Sequence, residues 1–143
     1  MTVASIIKEK GHNVLTVKRD QPLAQAANLL VAHKVGALVA ADDHGKVIGI
    51  LSERDVVRAV AAEGGTALLK PVSDYMTVNV VTCKMSDTID CLMERMTGSR
   101  FRHLPVVEDG KLVGIISIGD IVKRRIADTI HEAEALKAYI ATG

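Results

Sequence analysis

The sequence places a serine three residues before an aspartate at two positions, Ser52 with Asp55 and Ser117 with Asp120. In a helix that begins at the serine, each side chain can bond the other residue's backbone N–H, which forms a capping box. The same geometry suits a small ligand, because helix N–H groups attract phosphate and an ionised aspartate can accept from both ribose hydroxyls. Both interpretations stay open, since a cap that faces a cleft can also bind a nucleotide.

Basic side chains near these motifs could add charge for a phosphate. Arg54 follows the first serine, whereas Ile118 and Gly119 follow the second. We therefore expect Arg100 or Arg102 to supply the phosphate charge in the second half. The alternative is that these arginines lie in a solvated loop.

The two motifs occupy equivalent places in an internal repeat. Residues 45–52 recur as 110–117, and residues 14–18 recur as 80–84. Each copy predicts a strand, a helix, a hairpin with an Asp/Gly turn, and a second helix that begins at the serine. Neither copy could bury enough apolar surface alone, so we predict a mixed α/β (α+β) fold in which two β-α-β-β-α units pack face to face as one domain.

The predicted boundaries follow the repeat. The predicted first strands cover residues 14–17 and 80–83, and the helices after them cover 23–34 and 88–97. The second helices run from Ser52 to about Ala62 and from Ser117 to Tyr139. We expect an N-terminal lead-in at 1–13, a first repeat at 14–62, a linker at 63–79 and a second repeat with a long C-terminal helix at 80–143.

Composition excludes several classes of partner. Eighteen basic and seventeen acidic residues leave a net charge of +1, which argues against nucleic acid. Only Tyr75, Phe101 and Tyr139 are aromatic, so a base-stacking platform is also excluded. No apolar run approaches the roughly 20 residues of a membrane span, and no signal peptide is visible, so we expect no membrane partner.

The reactive residue types do not form an enzyme site in the sequence. The two cysteines lack CxxC spacing and read as ordinary thiols of a reducing, cytoplasmic compartment. The five histidines show no metal-ligand spacing, so no metal is expected. P-loop, Rossmann and nucleophile-elbow motifs are absent from the sequence, which predicts a non-catalytic protein.

The ordered, duplicated set of motifs resembles the tandem CBS-domain pair, or Bateman module, over essentially the whole chain. The resemblance is carried by residues 49–55 and 114–120, by the linker motif Asp74-Tyr75-Met76-Thr77, and by residues 102–107. Stand-alone CBS-pair proteins of bacteria are the most similar group. They keep an N-terminal lead-in helix and a long C-terminal helix.

The resemblance implies a regulatory module that binds AMP, ADP, ATP or NAD(H) and reports energy or redox state to an unidentified regulated protein. It also implies a homodimer. The alternative is a constitutive dimerisation or adaptor module with vacant clefts.

The same resemblance implies which positions contact the ligand. Residues matching His103, Leu104 and Pro105 line the adenine pocket in the family, mostly through backbone, and residues matching Thr16 and Thr82 border the base. The predicted ligand-binding residues are Thr16, Gly36, Ala37, Ser52, Arg54, Asp55, Thr77, Thr82, Arg100, Arg102, His103, Leu104, Pro105, Ser117, Ile118 and Asp120.

Two glycine features leave alternatives open. The first half lacks the His-Leu-Pro pattern of residues 103–105 and has Val35-Gly36-Ala37-Leu38 instead. Gly36 and Ala37 leave more space there for a bulkier ligand such as a dinucleotide, and the alternative is that this half is vacant. Glycines inside the predicted strands, at Gly49 and Gly114, mark either a bulge or tight interlocking of the halves, or the close approach of a ligand.

Overall fold

The computed structural model describes residues 1–99 and 101–142. The elements are α1 (Val3–Lys10), β1 (Thr16–Val17), α2 (Leu23–His33), β2 (Ala37–Ala41), β3 (Val47–Ser52), α3 (Glu53–Glu63), α4 (Ile89–Gly98), β4 (His103–Glu108), β5 (Lys111–Ser117) and α5 (Ile118–Thr142). Two 3-10 turns, Gly64–Leu69 and Val72–Asp74, lie in the linker. The predicted mixed α/β fold is confirmed, including the N-terminal helix and the long C-terminal helix.

Each repeat contains a hairpin with the same register. β2 pairs antiparallel with β3, and β4 pairs antiparallel with β5. Ala37 lies opposite Ser52, and His103 lies opposite Ser117. Each serine that starts a helix is therefore held beside the first residue of the preceding strand.

The predicted strand at 80–83 is wrong, because only Cys83 pairs, as an isolated parallel bridge to Val106. In the first repeat, β1 pairs with β2 and the N–H of Val39 donates to the carbonyl of Leu15 at 3.2 Å. The matching position in the second repeat is Pro105, which has no N–H to donate. The parallel ladder therefore stops at Cys83.

The buried side chains form two clusters, and each is completed by a segment from outside its own repeat. Ala67 and Val72 of the linker pack into the first-repeat cluster. Val3, Ile6 and Ile7 of α1 pack into the second-repeat cluster. The lead-in helix therefore folds onto the second repeat, although it precedes the first in sequence.

The two strand glycines let these segments approach the sheets. A Cβ on Gly49 would lie 2.5 Å from the Sδ of Met76 in the linker. A Cβ on Gly114 would lie 2.5 Å from the Cδ1 of Ile7 in α1. Gly49 pairs with Ala40 and Gly114 pairs with Val106, and in each hairpin the register shifts directly after that pair. The glycines therefore lie beside bulges, as one of the sequence alternatives predicts, and admit the linker and α1 rather than the opposite repeat.

The C-terminal helix α5 leaves an apolar stripe exposed. Ile121 is buried, but Val122, Ile126 and Ile130 are each about half exposed, and Leu136 continues the stripe. None of the helices within residues 1–99 and 101–142 combines the length and the apolar character that a membrane crossing requires.

Candidate functional site

The start of α3 is a complete capping box. Asp55 Oδ2 accepts from the Ser52 N–H at 2.8 Å and from the Ser52 hydroxyl at 3.1 Å. The Asp55 N–H donates to Ser52 Oγ at 3.3 Å. Within the described residues, Asp55 Oδ1 has no hydrogen-bond partner, so one carboxylate oxygen remains available to a ligand.

The start of α5 repeats this cap and adds a cation. Asp120 Oδ2 accepts from the Ser117 N–H at 2.8 Å, and the Asp120 N–H donates to Ser117 Oγ at 3.1 Å. The ammonium of Lys10 also donates to Asp120 Oδ2 at 2.7 Å and to the Ile115 carbonyl at 2.9 Å. The second aspartate is therefore paired with a lysine of the lead-in helix.

This pairing sets the charge state of the second aspartate. Partial burial acts to raise the pKa of Asp120, but the Lys10 ammonium and the Ser117 N–H outweigh it and hold that pKa below the usual 3.8. Asp120 is thus a carboxylate at neutral pH and acts as a hydrogen-bond acceptor.

The first turn of each helix has limited capacity for an anion. The Glu53 N–H donates to the Gly36 carbonyl at 3.0 Å, and the Ile118 N–H donates to the Arg102 carbonyl at 2.8 Å. Among the contacts of the described residues, the N–H groups of Arg54 and Gly119 have no acceptor. One backbone donor per helix start is therefore open to a phosphate oxygen.

The two repeats meet where Gly36 faces the ring of His103. A Cβ on Gly36 would lie 3.1 Å from His103 Nε2 and 3.1 Å from Glu53 Oε1. His103 of the other repeat and Glu53 thus border Gly36, which also lines a cleft of about 320 Å³ with Leu30 and Val31. The predicted use of this space by a ligand stays a prediction. Burial lowers the pKa of His103 from 6.5, and Lys10 acts in the same direction, so the ring is neutral at physiological pH.

The other predicted residues divide by exposure. Ala37, Leu104 and Pro105 are buried in strands, so only their backbone groups could face a ligand. Arg54, Arg102 and Ile118 are exposed beside the two helix starts. Arg100 lies outside the described residues.

The three predicted threonines lie in different surroundings. Thr77 pairs through its backbone with Ile50 of β3, with N···O distances of 2.9 and 3.0 Å. The carbonyl of Thr82 accepts from Arg95 at 3.3 Å. Thr16 lines a cleft of about 700 Å³ whose lining includes His12 and Leu112 but neither Asp55 nor Asp120. Thr16 is therefore not brought to either cap.

Lys10 is the site residue that sequence reasoning missed. It belongs to no motif and precedes the first repeat, yet it contacts the second. The apolar residues Val3, Ile6 and Ile7 signal that α1 packs on a core, but they do not indicate which core.

The histidine, cysteine and acidic side chains are the remaining candidates for metal or thiol chemistry. In the part of the chain that the structure describes, no group of three or more His, Cys, Asp or Glu residues could hold a metal ion. Both cysteines are free, and burial raises the pKa of Cys83 to about 12, so its nucleophilic thiolate is scarce.

Comparison with known proteins identifies the repeat. The sequence model of the CBS domain matches twice, over residues 3–62 and 72–127. The fold is similar to a CBS-domain containing protein from Agrobacterium tumefaciens, with 52% identity and a TM-score of 0.85, over 87% of this chain and 99% of that one.

Two similar structures were solved with adenosine compounds. CBSX2, in complex with AMP, is 28% identical with a TM-score of 0.75, over 90% of this chain and 98% of that one. The CBS-domain pair of MJ0100, in complex with 5′-methylthioadenosine and S-adenosyl-L-methionine, is 26% identical with a TM-score of 0.81, over 90% and 98%.

Curated relatives differ in length. The mitochondrial CBS domain-containing protein CBSX3 of Arabidopsis thaliana is 31% identical, over 99% of this chain and 73% of that protein. The inosine-5′-monophosphate dehydrogenase of Methanocaldococcus jannaschii is 36% identical, but the match covers only 22% of that enzyme. The similarity to that enzyme is thus confined to a minor part of its length.

Proposed function

The chain belongs to the CBS domain family, with two CBS repeats, and on that premise we propose that it is a non-catalytic regulatory module that binds adenosine-containing ligands at the starts of α3 and α5. Ligand binding would change how the repeats pack and thereby the surface offered to a regulated protein. AMP, ADP, ATP and NAD(H) are the ligands proposed. A cytoplasmic location is part of the same proposal, consistent with two free thiols.

One observation carries the proposal: each helix start presents a half-buried carboxylate with a free oxygen beside an open backbone N–H. The carboxylate can accept ribose hydroxyls, and the N–H can donate to phosphate. Asp55 and Asp120 supply the carboxylates, and Arg54 and Gly119 supply the open N–H groups. Solved neighbours bound to AMP or S-adenosyl-L-methionine support an adenosine ligand here.

The test is isothermal titration calorimetry with AMP, ADP, ATP and NADH. We expect at least one to bind. Asp120→Ala and Asp55→Ala should each weaken a site by roughly ten- to a hundredfold, because a charge-assisted hydrogen bond is lost. Asp20→Ala, an exposed aspartate outside both caps, is the matched control and should leave affinity unchanged.

The adaptor alternative makes a different prediction. If none of the four nucleotides binds or raises the melting temperature, the module has vacant clefts and acts only by association. If a nucleotide still binds with unchanged affinity after both aspartates are replaced by alanine, the binding site lies in another part of the chain.

We also propose that the chain forms a homodimer. The exposed apolar stripe of α5, which includes Ile126 and Ile130, supports this proposal because monomeric proteins rarely leave such a surface uncovered. Sedimentation should give twice the chain mass of 15.3 kDa. Ile126→Glu tests whether α5 mediates the contact, and a monomeric wild type would refute the dimer.

A further inference from the structure

We infer that Lys10 is the phosphate-selecting cation of the second site, so that the cleft at Asp120 discriminates between ligands by their phosphate charge. The inference rests on the proposed function. It assigns to the lead-in helix a role in ligand choice at a repeat to which it does not belong in sequence.

The geometry shows that Lys10 holds a position for which the first repeat uses a different group. Ile50 in β3 and Ile115 in β5 are equivalent residues of the repeat. The carbonyl of Ile50 accepts the backbone N–H of Thr77 at 2.9 Å, whereas the carbonyl of Ile115 accepts the ammonium of Lys10 at 2.9 Å. A neutral linker backbone thus borders one cap, and a cation borders the other.

The lysine is held in place by packing as well as by charge. Ile7 and Val3, one and two turns before Lys10 in α1, are fully buried, and Ile7 fills the space above Gly114. His12, just after α1, lies with Nδ1 3.1 Å from the carbonyl of Val113. The chain on both sides of Lys10 is therefore fixed along β5, which delivers the ammonium to the site.

The lysine also corrects a charge deficit. The second helix start has Gly119 where the first has Arg54, so α5 brings no cation of its own to its first turn. Arg102 lies exposed beside the same helix start, but Lys10 is the cation that contacts the Asp120 carboxylate. The pair is neutral, and the side chains remain 35% and 23% exposed, which leaves room for a ligand to reach them.

An ammonium has three donors, of which Lys10 uses two on Ile115 and Asp120. The third can meet a ligand oxygen while the pair stays intact. Oδ1 of Asp120 has no partner in the described residues, so a ribose hydroxyl need not displace the lysine.

The experiment compares adenosine, AMP and ATP by calorimetry in an Asp55→Ala background, so that only the second site is measured. Lys10→Gln should weaken AMP binding about tenfold, and ATP binding more, because one charge is lost near the phosphates. Adenosine affinity should change less than about twofold. Lys10→Arg should retain the preference for phosphate, and Lys8→Gln, an exposed lysine on the same helix, should behave as the parent.

The outcomes separate the two proposals. An equal loss for adenosine and AMP in Lys10→Gln would make Lys10 a structural support and overturn the inference alone. A gain for all three ligands would make it a plug that competes for Asp120, which also overturns it. If the protein with both aspartates intact binds none of AMP, ADP, ATP and NADH, the proposed function fails and the inference with it.

Discussion

The two helix starts of this protein share one local design but differ in the segment that crosses the strand beside them. At the first, the linker lies over Gly49 through Met76 and pairs its backbone with Ile50. At the second, the lead-in helix lies over Gly114 through Ile7. That second segment also brings a lysine to the aspartate.

The difference shows how the two copies of a repeat can have unlike surroundings while their capping motif stays the same. The capping distances at Ser52 and Ser117 are nearly equal, so the motif alone makes the two carboxylates alike. The difference comes from the segments outside the repeats. The linker packs on the first repeat, and the lead-in helix α1 packs on the second. The difference between the two helix starts can therefore be tested by weakening the packing of the linker and of α1 separately.

The largest effect should come from Ile7→Ala. Ile7 is fully buried between α1 and β5, so its truncation leaves a cavity that should cost about 2–4 kcal/mol of unfolding free energy. Met76 is only partly buried, and Met76→Ala should cost about 1 kcal/mol. Urea denaturation of both variants measures the difference.

Equal losses of unfolding free energy in Ile7→Ala and Met76→Ala would contradict the prediction, because the lead-in helix would then be no more firmly packed than the linker. Val31→Ala, on a residue that is 78% exposed in α2, is the control and should change stability little. The Ile7 variant should also lose the phosphate preference assigned to Lys10, because α1 would no longer be fixed on β5.

A smaller effect should follow from filling the space at the glycines. Gly114→Ala brings a methyl group against Ile7, whose surroundings are fully packed, and should cost about 1–3 kcal/mol. Gly49→Ala meets Met76, whose flexible and partly exposed side chain can rotate away, so we expect a smaller loss. Thermal unfolding gives the ranking. The reverse order would indicate that the linker side is the more tightly packed crossing.

The sequence was sufficient to predict the repeat, the hairpins and both caps, because these depend on local spacing. The helix starts after Ser52 and Ser117 and the long C-terminal helix are confirmed. The sequence shows that Pro105 has no backbone N–H to donate. Only the structure shows that residues 80–83 would have to pair with this part of β4, where just the bridge at Cys83 forms.

The sequence could not predict which repeat the lead-in helix α1 and the linker each pack against. Apolar residues in α1 predict burial, and either core could have received them. The contact between Lys10 and Asp120, and the approach of His103 to Gly36, both depend on the long-range packing of segments from different parts of the chain. Periodicity within a helix carries no information about it.

The smallest predicted effect is a dependence of stability on pH that originates in the second repeat. His103 occupies the position that Ala37 holds in the first repeat, so only one half carries a titrating ring there. Burial and the charges of Lys10 and Arg102 lower the pKa of His103 below 6.5, against the opposing charges of Asp120 and Glu53. The unfolded chain therefore binds a proton more readily than the folded one as pH falls through about 6.5.

Stability from His103 should be fully present above pH 6.5 and decrease on acidification below it, by about 1–3 °C in melting temperature between pH 8 and pH 5.5 relative to His103→Gln. Asp120 does not contribute in this window, because its pKa lies below 3.8 and it stays ionised. If the melting temperature has the same pH dependence in the wild type and in His103→Gln, the ring of His103 is solvated and the repeats do not close around it. A profile that is steeper in the wild type would instead place the neutral ring, packed against Gly36, at the contact between the repeats.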